Sequence, residues 1–565
     1  MKFLCDAEVQ PLSKRIIILL CAIIVAYSGL MFFRLGTCDI PQSYVRFEPG
    51  DIKSININVN DIQSILMWSK YGAEPSKLIF SVDGNTVCNV DRWMTMWAEY
   101  RFENVMTNSS VLQLEYDGSH YIDIYELAFL DKDGNLMSYG TFDDLDYIHD
   151  EAYLIDQSHS VLTSLYFDEL LYSDTADHYF VDGLILEKSH PPMGKNFIAL
   201  GVLLFGHNTL GYRFFGAVFG ILTLLVMFFL ARKILKKNAF ALLVTILVFC
   251  ESMYYVQSRV CAIDIYVLFF ILLSYLYMIC YAQTNIRRQE IGFLGLSGLC
   301  FGMACASKWI GCYAGIGLAI VFFVAFLHKR KDYSLTRRMD SWMCTLLWCC
   351  LFFVIMPITI YVMSYLPMLW KRSDGIVDFF GKVWANQLYM WNWHANYVGD
   401  QFNWQSAWYG WPFSVGSFFY FNPSLFSARS DFWQFIVLCG NPFIWIGGLI
   451  SVCLCSVYLV KTFVARREVN YTLFVIVVMY VCQYVPWWFI DRPLFIYHYF
   501  CAGTISILCL VFVLMKLWQR STLYKILVGC YAGISSLWFF IMFPFFNGLL
   551  ISENYALLAF LLAKG

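Results

Sequence analysis

The sequence predicts an all-α polytopic membrane protein of about eleven spans, with one small jelly-roll-like β-sandwich inserted after the first span. Three observations carry this. The chain is 59% hydrophobic and only 14% charged, whereas soluble domains carry about 25% charged residues. Apolar runs of about 20 residues, the length that crosses a bilayer, recur through most of its length. Between 38 and 160 the pattern changes to short apolar stretches that alternate with polar residues, the period of a half-buried strand. A net charge of −2 gives no global pull toward nucleic acid. The 20 cysteines mostly lie in apolar runs such as Cys349-Cys350, where they act as small buried hydrophobes, and no Cys/His spacing suggests zinc.

Residues 1–37 read as a cytoplasmic tail and a first span near 16–33. Lys14 and Arg15 precede that span and no small-residue cleavage site follows it, the pattern of an uncleaved signal anchor. Residues 38–160 form the sandwich. Ile55, Ile57 and Val59 alternate with Asn56, Asn58 and Asn60, and 111–114 and 121–130 are further strands. Asp83-Gly84-Asn85 and Asp133-Gly134-Asn135 read as hairpin turns. Cys38 and Cys88 would share one aqueous compartment, which leaves a disulfide between them open. Residues 161–210 form an outer loop with amphipathic helices. Within 211–365, spans two to seven are predicted near 211–231, 239–257, 262–283, 291–306, 309–328 and 341–365. An aromatic-rich outer loop occupies 366–440. Spans eight to eleven, near 442–462, 471–488, 495–517 and 524–544, and a C-terminal tail fill 441–565.

Charge placement supports this count. With the N-terminus inside, the inside loops receive Arg232, Lys233, Lys236 and Lys237, then Arg287 and Arg288, then Lys329, Arg330, Lys331, Arg337 and Arg338. Lys461, Arg466 and Arg467 follow, and then Lys516, Arg520 and Lys525. Basic residues thus accumulate on alternate loops, as membrane orientation requires.

Every polar feature suited to chemistry falls on the other face. Tyr166-Phe167-Asp168-Glu169 places two carboxylates just before the series of spans, where lipid offers them nothing to bond. Adjacent helical residues point about 100° apart, so one acid can face a substrate while the other supports it; a solvated loop pair is the alternative. Five cations, Lys195, Arg213, Arg259, Lys308 and Arg492, sit at outer span ends against the charge bias. Together they suit an anion such as a departing phosphate. Singly, each is equally explained by snorkelling or by a neighbouring acid, Asp491 for Arg492 and Asp264 for Arg259. Pro191-Pro192 stiffens the loop after His190 and aims its ring. His190 and His394 with carboxylates are a conceivable metal set, but no HxxxH or Asp-x-Asp spacing supports one, so they read as shaping the site. In 366–440, the many aromatics, Trp384, Trp391, Trp393, Trp408 and Trp411 among them, are either interfacial anchors or a platform for a sugar ring or polyprenyl chain.

These residues resemble the protein O-mannosyltransferase family, which has the GT-C membrane fold. Phe167-Asp168-Glu169 looks like that family's acidic pair. His190-Pro191-Pro192-Met193-Gly194-Lys195 is similar to its His-Pro-Pro-Leu-(Gly/Ala)-Lys signature, and Ser307-Lys308-Trp309 also matches. Trp391-Asn392-Trp393-His394 and 405–412 look like the outer loop of bacterial members, and Arg492 with Phe495-Ile496-Tyr497-His498-Tyr499 like their late motif. The matches keep their order over about 161–545. Separately, 124–131 resembles the end of discoidin-like jelly rolls, which leaves sugar binding or a structural cover open for the sandwich.

The resemblance implies an inverting glycosyltransferase that moves a hexose, mannose in this family, from a polyprenyl-phosphate donor to a Ser/Thr hydroxyl of a protein, without a metal or cofactor. It implies Asp168 and Glu169 as the catalytic pair and Arg213 at the donor phosphate; beside it, the residues themselves suggest Arg259, Lys195, Lys308 and Arg492 as further phosphate contacts and His190, His394, Tyr497 and His498 as shaping the site. It also implies a bacterial plasma-membrane protein with an extracytoplasmic site. Departures exist. The acid usually found two residues before the His-Pro-Pro histidine is Lys188 here, with Glu187 beside it, and Asn403 stands where bacterial members carry a second histidine. The departures keep a lipid or cell-wall glycan open as acceptor. A transporter or flippase predicts two-fold repeats and mid-span charges, and neither is evident. A tethered sugar-binding module leaves the spans unexplained.

Overall fold

The computed structural model describes residues 3–4, 9–69, 76–90, 97–103, 107–141, 145–155, 161–180, 185–330, 335–396, 404–421, 433–465, 467–552, 555 and 557. The expectations for Lys331, Asn403 and Arg466 lie outside them. Among the described residues ten helices are long and apolar enough to cross a membrane. They are Lys14–Phe32, Thr209–Leu235, Asp264–Gln283, Arg287–Ser307, Gly311–Lys329, Trp342–Arg372, Pro442–Val464, Tyr471–Phe489, Ile496–Trp518 and Thr522–Asn547. The protein is therefore an integral membrane protein, mostly helical.

The span expected at 239–257 is the exception. It is split into Asn238–Phe249 and Ser252–Gln257. Glu251 makes the break: its carboxylate accepts from the backbone N–H groups of Met253 (3.2 Å) and Tyr254 (2.6 Å), which caps the second piece. Asn441 covers the same break, donating from Nδ2 to the Cys250 carbonyl at 3.0 Å. An apolar run alone does not reveal a helix restarted by one acid.

The sandwich comprises β1 (Val45–Phe47), β2 (Ile52–Asn56), β3 (Ile62–Ser69), β4 (Ser76–Val82), β5 (Asn85–Val90), β6 (Trp97–Arg101), β7 (Val111–Gly118), β8 (Ile122–Asp131) and β9 (Gly140–Thr141). One antiparallel sheet has the order β9-β2-β7-β4-β5 and the other β1-β8-β3-β6. In β7 Leu112, Leu114 and Tyr116 are buried while Val111, Gln113 and Glu115 face water, so the period of two is explicit. They pack with Ile55, Phe80, Ile124 and Phe129 in a core shared by both sheets. Asp83 and Gly84 both have positive φ (50° and 80°) in the two-residue β4–β5 hairpin, the conformation that an Asp-Gly pair adopts at low cost. The outer face of the four-stranded sheet is covered by the segments that enter and leave the domain, through Ile40 and Ile155. Cys88 is buried, Cys38 is exposed, and both are free thiols, so the disulfide left open above does not form.

The helical domain meets the sandwich through 161–207. The short helix Glu169–Asp177 packs on Met193–Phe205, which packs in turn on Thr209–Leu235. That last crossing needs glycine: a Cβ at Gly201 would strike the Gly211 carbonyl. Close approach there sets Arg213, two residues on, against the acidic pair. The loop 366–440 is not a bare loop. It holds the exposed amphipathic helix Ile376–Asn396, the turn Trp408–Phe413, and a hairpin that pairs Phe418–Phe421 with Ile436–Leu438.

Candidate active site

Phe167 fixes the geometry of the acidic pair. It is a non-glycine residue at φ +56°, a conformation that costs roughly 1–3 kcal/mol and persists only where surroundings impose it. Its ring lies nearly parallel to that of Tyr420 at 4.7 Å and contacts Phe418 (5.3 Å) and Tyr497 (6.0 Å). The left-handed turn separates the next two side chains into different surroundings.

Asp168, at the N-terminus of the short helix, is half-buried, and no hydrogen bond to its carboxylate is found among the described residues. It lines a narrow pocket with Gln257, Asp264, Tyr420 and Tyr497. Burial pushes its carboxyl up to about 7, against the opposing pull of Lys308. Glu169 borders the same pocket but is 2% exposed, with its carboxylate committed to donors. Its Oε1 accepts from Arg213 Nε (2.8 Å) and the Cys261 N–H (2.7 Å); its Oε2 accepts from Arg213 Nη2 (2.7 Å) and the Tyr166 N–H (3.2 Å).

Arg213 corrects one expectation. Besides its two bonds to Glu169, it donates from Nη1 to the carbonyls of Leu35 (3.0 Å) and Val161 (2.9 Å) and from Nη2 to that of Ser164 (2.6 Å). A guanidinium has five N–H groups, and all five are engaged. Arg213 has no donor left for a phosphate and ties the first helix and the acidic turn together. Arg259 departs from expectation less fully, with three of its five N–H groups engaged. It donates to the carbonyls of Leu30, Met31 and Arg34, closing the C-terminal end of Lys14–Phe32, and does not pair with Asp264. Arg213 and Arg259 line a second pocket of about 270 Å³, separated from the first by Tyr166.

Lys195 is the third correction. Its ammonium, fully buried, donates to the Glu187 carboxylate (2.6 Å) and to the carbonyls of Glu187 (2.9 Å) and His190 (2.8 Å). Three donors are all that a lysine has. Glu187 is the residue that sequence reasoning passed over. Its Oε1 also receives the N–H of Ser189 (2.8 Å) and faces His190 Nδ1 at 3.0 Å. Burial opposes its charge, but Lys195 and His190 hold its carboxyl well below the usual range. The acid one position further from the His-Pro-Pro histidine than expected therefore closes the loop and orients His190. The signal was available: Glu187 is the acid nearest Lys188.

The remaining candidates divide. Lys308 donates to Asp264 Oδ1 at 2.8 Å on the pocket wall, with its ammonium 5.6 Å from the centre of the Tyr497 ring. His394 places Nε2 2.9 Å from the Ser189 carbonyl, and its ring stands 5.6 Å from that of His190. Burial lowers both imidazoles, His394 to about 4, so both are neutral near pH 7. His498 is enclosed by Trp487 and Trp411 and accepts the Phe495 N–H at 3.0 Å; it holds its own turn and does not reach the pocket lining. Tyr497 does line the pocket, between Asp168 and Arg492, and is electrostatically coupled to both. Arg492 is half-buried, forms no ion pair with Asp491, and has no hydrogen-bond partner among the described residues. Burial alone lowers its guanidinium, so a negative charge there would be welcome. The aromatic loop is mixed: Trp384 and Trp391 are exposed, whereas Trp411 is buried and Phe418 and Tyr420 pack on Phe167.

This geometry was compared with known proteins. Residues 203–371 match the family model described as "Dolichyl-phosphate-mannose-protein mannosyltransferase", and 379–558 match "C-terminal four TMM region of protein-O-mannosyltransferase". The polyprenol-phosphate-mannose–protein mannosyltransferase of Mycolicibacterium smegmatis is 24% identical over 444 residues, covering 68% of this chain and 83% of the relative. That of Corynebacterium glutamicum is 24% identical over 417 residues, covering 64% and 79%. Among solved structures, the Saccharomyces cerevisiae Pmt1–Pmt2 complex bound to the sugar donor has a TM-score of 0.60 at 13% identity, over 70% of this chain and 88% of that one, and shares the fold. The two family models together cover most of the helical domain and begin after the acidic pair and the His190–Lys195 stretch. The chain belongs to the protein O-mannosyltransferase family of GT-C membrane glycosyltransferases.

Proposed function

We propose that the protein is an inverting glycosyltransferase that moves mannose from a polyprenyl phosphate to a Ser or Thr hydroxyl of a protein. One observation carries the proposal: Asp168 presents an unpartnered carboxylate, its pKa raised to about 7, to a pocket walled by aromatics. A base tuned near neutrality both exists in the ionised form and holds a proton well, the compromise that general base catalysis favours. Asp168 takes the proton of the acceptor hydroxyl as its oxygen attacks the sugar C1. The C1–O bond to phosphate breaks on the opposite face, which inverts the anomeric centre. Negative charge grows on the departing phosphate, where Arg492, with Lys308 at the pocket edge, supplies the fixed positive charge. Glu169 does not touch the reactants; it holds the turn that aims Asp168. The chemistry is divided among these side chains, and the lipid-linked sugar is a substrate. In this reading the protein sits in a bacterial plasma membrane with its N-terminus in the cytoplasm and the pocket outside, an orientation that the alternation of basic loops supports.

Membranes containing the protein are incubated with polyprenyl phosphate carrying radiolabelled mannose, and protein and lipid fractions are counted. Label enters protein, and Asp168→Asn reduces it at least ~10²-fold with unchanged membrane insertion. Label confined to lipid would replace the protein acceptor with a lipid or glycan one. Transfer by the Asn variant within tenfold of wild type would move the base elsewhere.

A further inference from the structure

A second group of carboxylates lies in the sandwich, away from the pocket. Glu126 of β8 sits opposite Trp68 of β3, on the outer face of the four-stranded sheet. It is fully buried. Its Oε2 accepts the Glu151 N–H at 3.2 Å, while its Oε1 has no hydrogen-bond partner. Asp150 and Glu151 meet it there: one carboxylate oxygen from each of the three lies within 4.8 Å of the others. The incoming segment closes the group. The N–H groups of Gln42 (2.6 Å) and Ser43 (3.1 Å) donate to Glu151 Oε2, and Ser43 Oγ donates to Asp150 Oδ2 at 2.8 Å. No Lys, Arg or His pairs with any of the three acids among the described residues.

A carboxylate stripped of water with one empty oxygen needs either a proton or a cation. Two further acids at its shoulder raise the local negative potential and favour the cation. We propose that Glu126, Asp150 and Glu151 bind a hard divalent cation, Ca²⁺, which clamps the segments entering and leaving the sandwich onto its sheet. Carboxylate oxygens are the ligands that Ca²⁺ prefers, in an adaptable geometry. Mg²⁺ demands near-ideal octahedral geometry and dehydrates reluctantly, so a group built on one fully buried carboxylate suits it less. The clamp has a mechanical consequence: Gln42 Nε2 also reaches the His207 carbonyl (3.4 Å), just before the helix that carries Arg213. Fixing 42–43 thus fixes the sandwich against the helical domain.

The test uses the full chain in detergent, stripped with chelator and titrated with Tb³⁺, whose luminescence Trp68 sensitises as the cross-strand neighbour of Glu126. A saturable signal is expected, displaced by Ca²⁺ at ~10⁻⁴–10⁻³ M, the range of extracellular modules. Glu126→Gln weakens binding at least ~tenfold, and Asp150→Asn, at an exposed position, does the same and carries the test if the first variant does not fold. Absence of a saturable signal, or unchanged binding in both variants, would overturn the site. Displacement by Mg²⁺ at the same concentration as Ca²⁺ would overturn the choice of ion.

Discussion

Asp168 and Glu169 are neighbours in the chain and opposites in their surroundings. Glu169 receives four hydrogen bonds, two of them from a guanidinium. Asp168 receives none among the described residues and faces the pocket. The same carboxylate is a brace where donors converge on it and a base where they are withheld. The cations separate by the same rule. Arg213 and Lys195 stand on the brace side, with every donor committed to carbonyls and carboxylates, and Arg259 commits three of its five. Arg492 has none committed among the described residues, and Lys308 pairs with Asp264 and lies over the Tyr497 ring, both of which line the pocket although neither cation does. A cation at a span end is thus informative only once its partners are counted.

The comparison breaks most sharply at the acids themselves. Asp168→Asn lowers kcat by ~10²–10⁴-fold, the range for loss of a general base, with little change in fold. Arg213→Ala acts on the brace side and leaves Glu169 as an unpaired buried charge. It destabilises the helical domain by roughly 3–5 kcal/mol, read as a loss of thermal midpoint in detergent, while the surviving folded protein keeps its donor KM. A variant that stays as stable as wild type but shows a raised donor KM would return Arg213 to the phosphate site.

Arg492→Ala gives the next largest effect. Removing one fixed donor from a developing anion costs ~10²-fold, and the loss falls on donor kinetics with stability nearly unchanged, the reverse of Arg213→Ala. Lysine at 492 restores part of the activity, since a point charge remains without the planar fork. Unchanged donor kinetics in Arg492→Ala would leave Lys308 as the nearest cation to the phosphate.

How much of this was legible from the residues follows from what each feature depends on. Spans and sandwich strands depend on local periodicity, so 111–114, the Asp83-Gly84 turn and ten of the helices could be read directly. The split at Glu251 could not, because capping depends on which N–H groups one side chain meets. The motif residues were found, since order and spacing survive in the chain. Their roles were not, because Arg213 looks the same in sequence whether its five donors meet a phosphate or the carbonyls of Leu35, Val161 and Ser164. Glu187 was missed for a related reason: a loop can reach its lysine from either of two adjacent positions, and only the fold selects one.

The smallest effect sharpens the comparison furthest, because one group moves two observables in opposite directions. The folded-state pKa of Asp168, about 7, stands above the unfolded carboxylate value of about 4. The folded protein therefore holds the proton more tightly than the unfolded chain does. Stability from this group is complete below pH ~4 and is lost as pH rises through about 7. Activity runs the other way, since only the ionised base accepts a proton, so kcat rises through the same pH and then levels. Asp168→Asn, neutral at every pH, removes both limbs: it raises the thermal midpoint by a few degrees at pH 8 and by roughly a third as much at pH 5, and its residual rate is flat across neutrality. A wild-type rate with no acid limb between pH 6 and 8, or a variant no more stable than wild type at pH 8, would mean that Asp168 is already charged and solvated, and the contrast with Glu169 would lose its electrostatic basis.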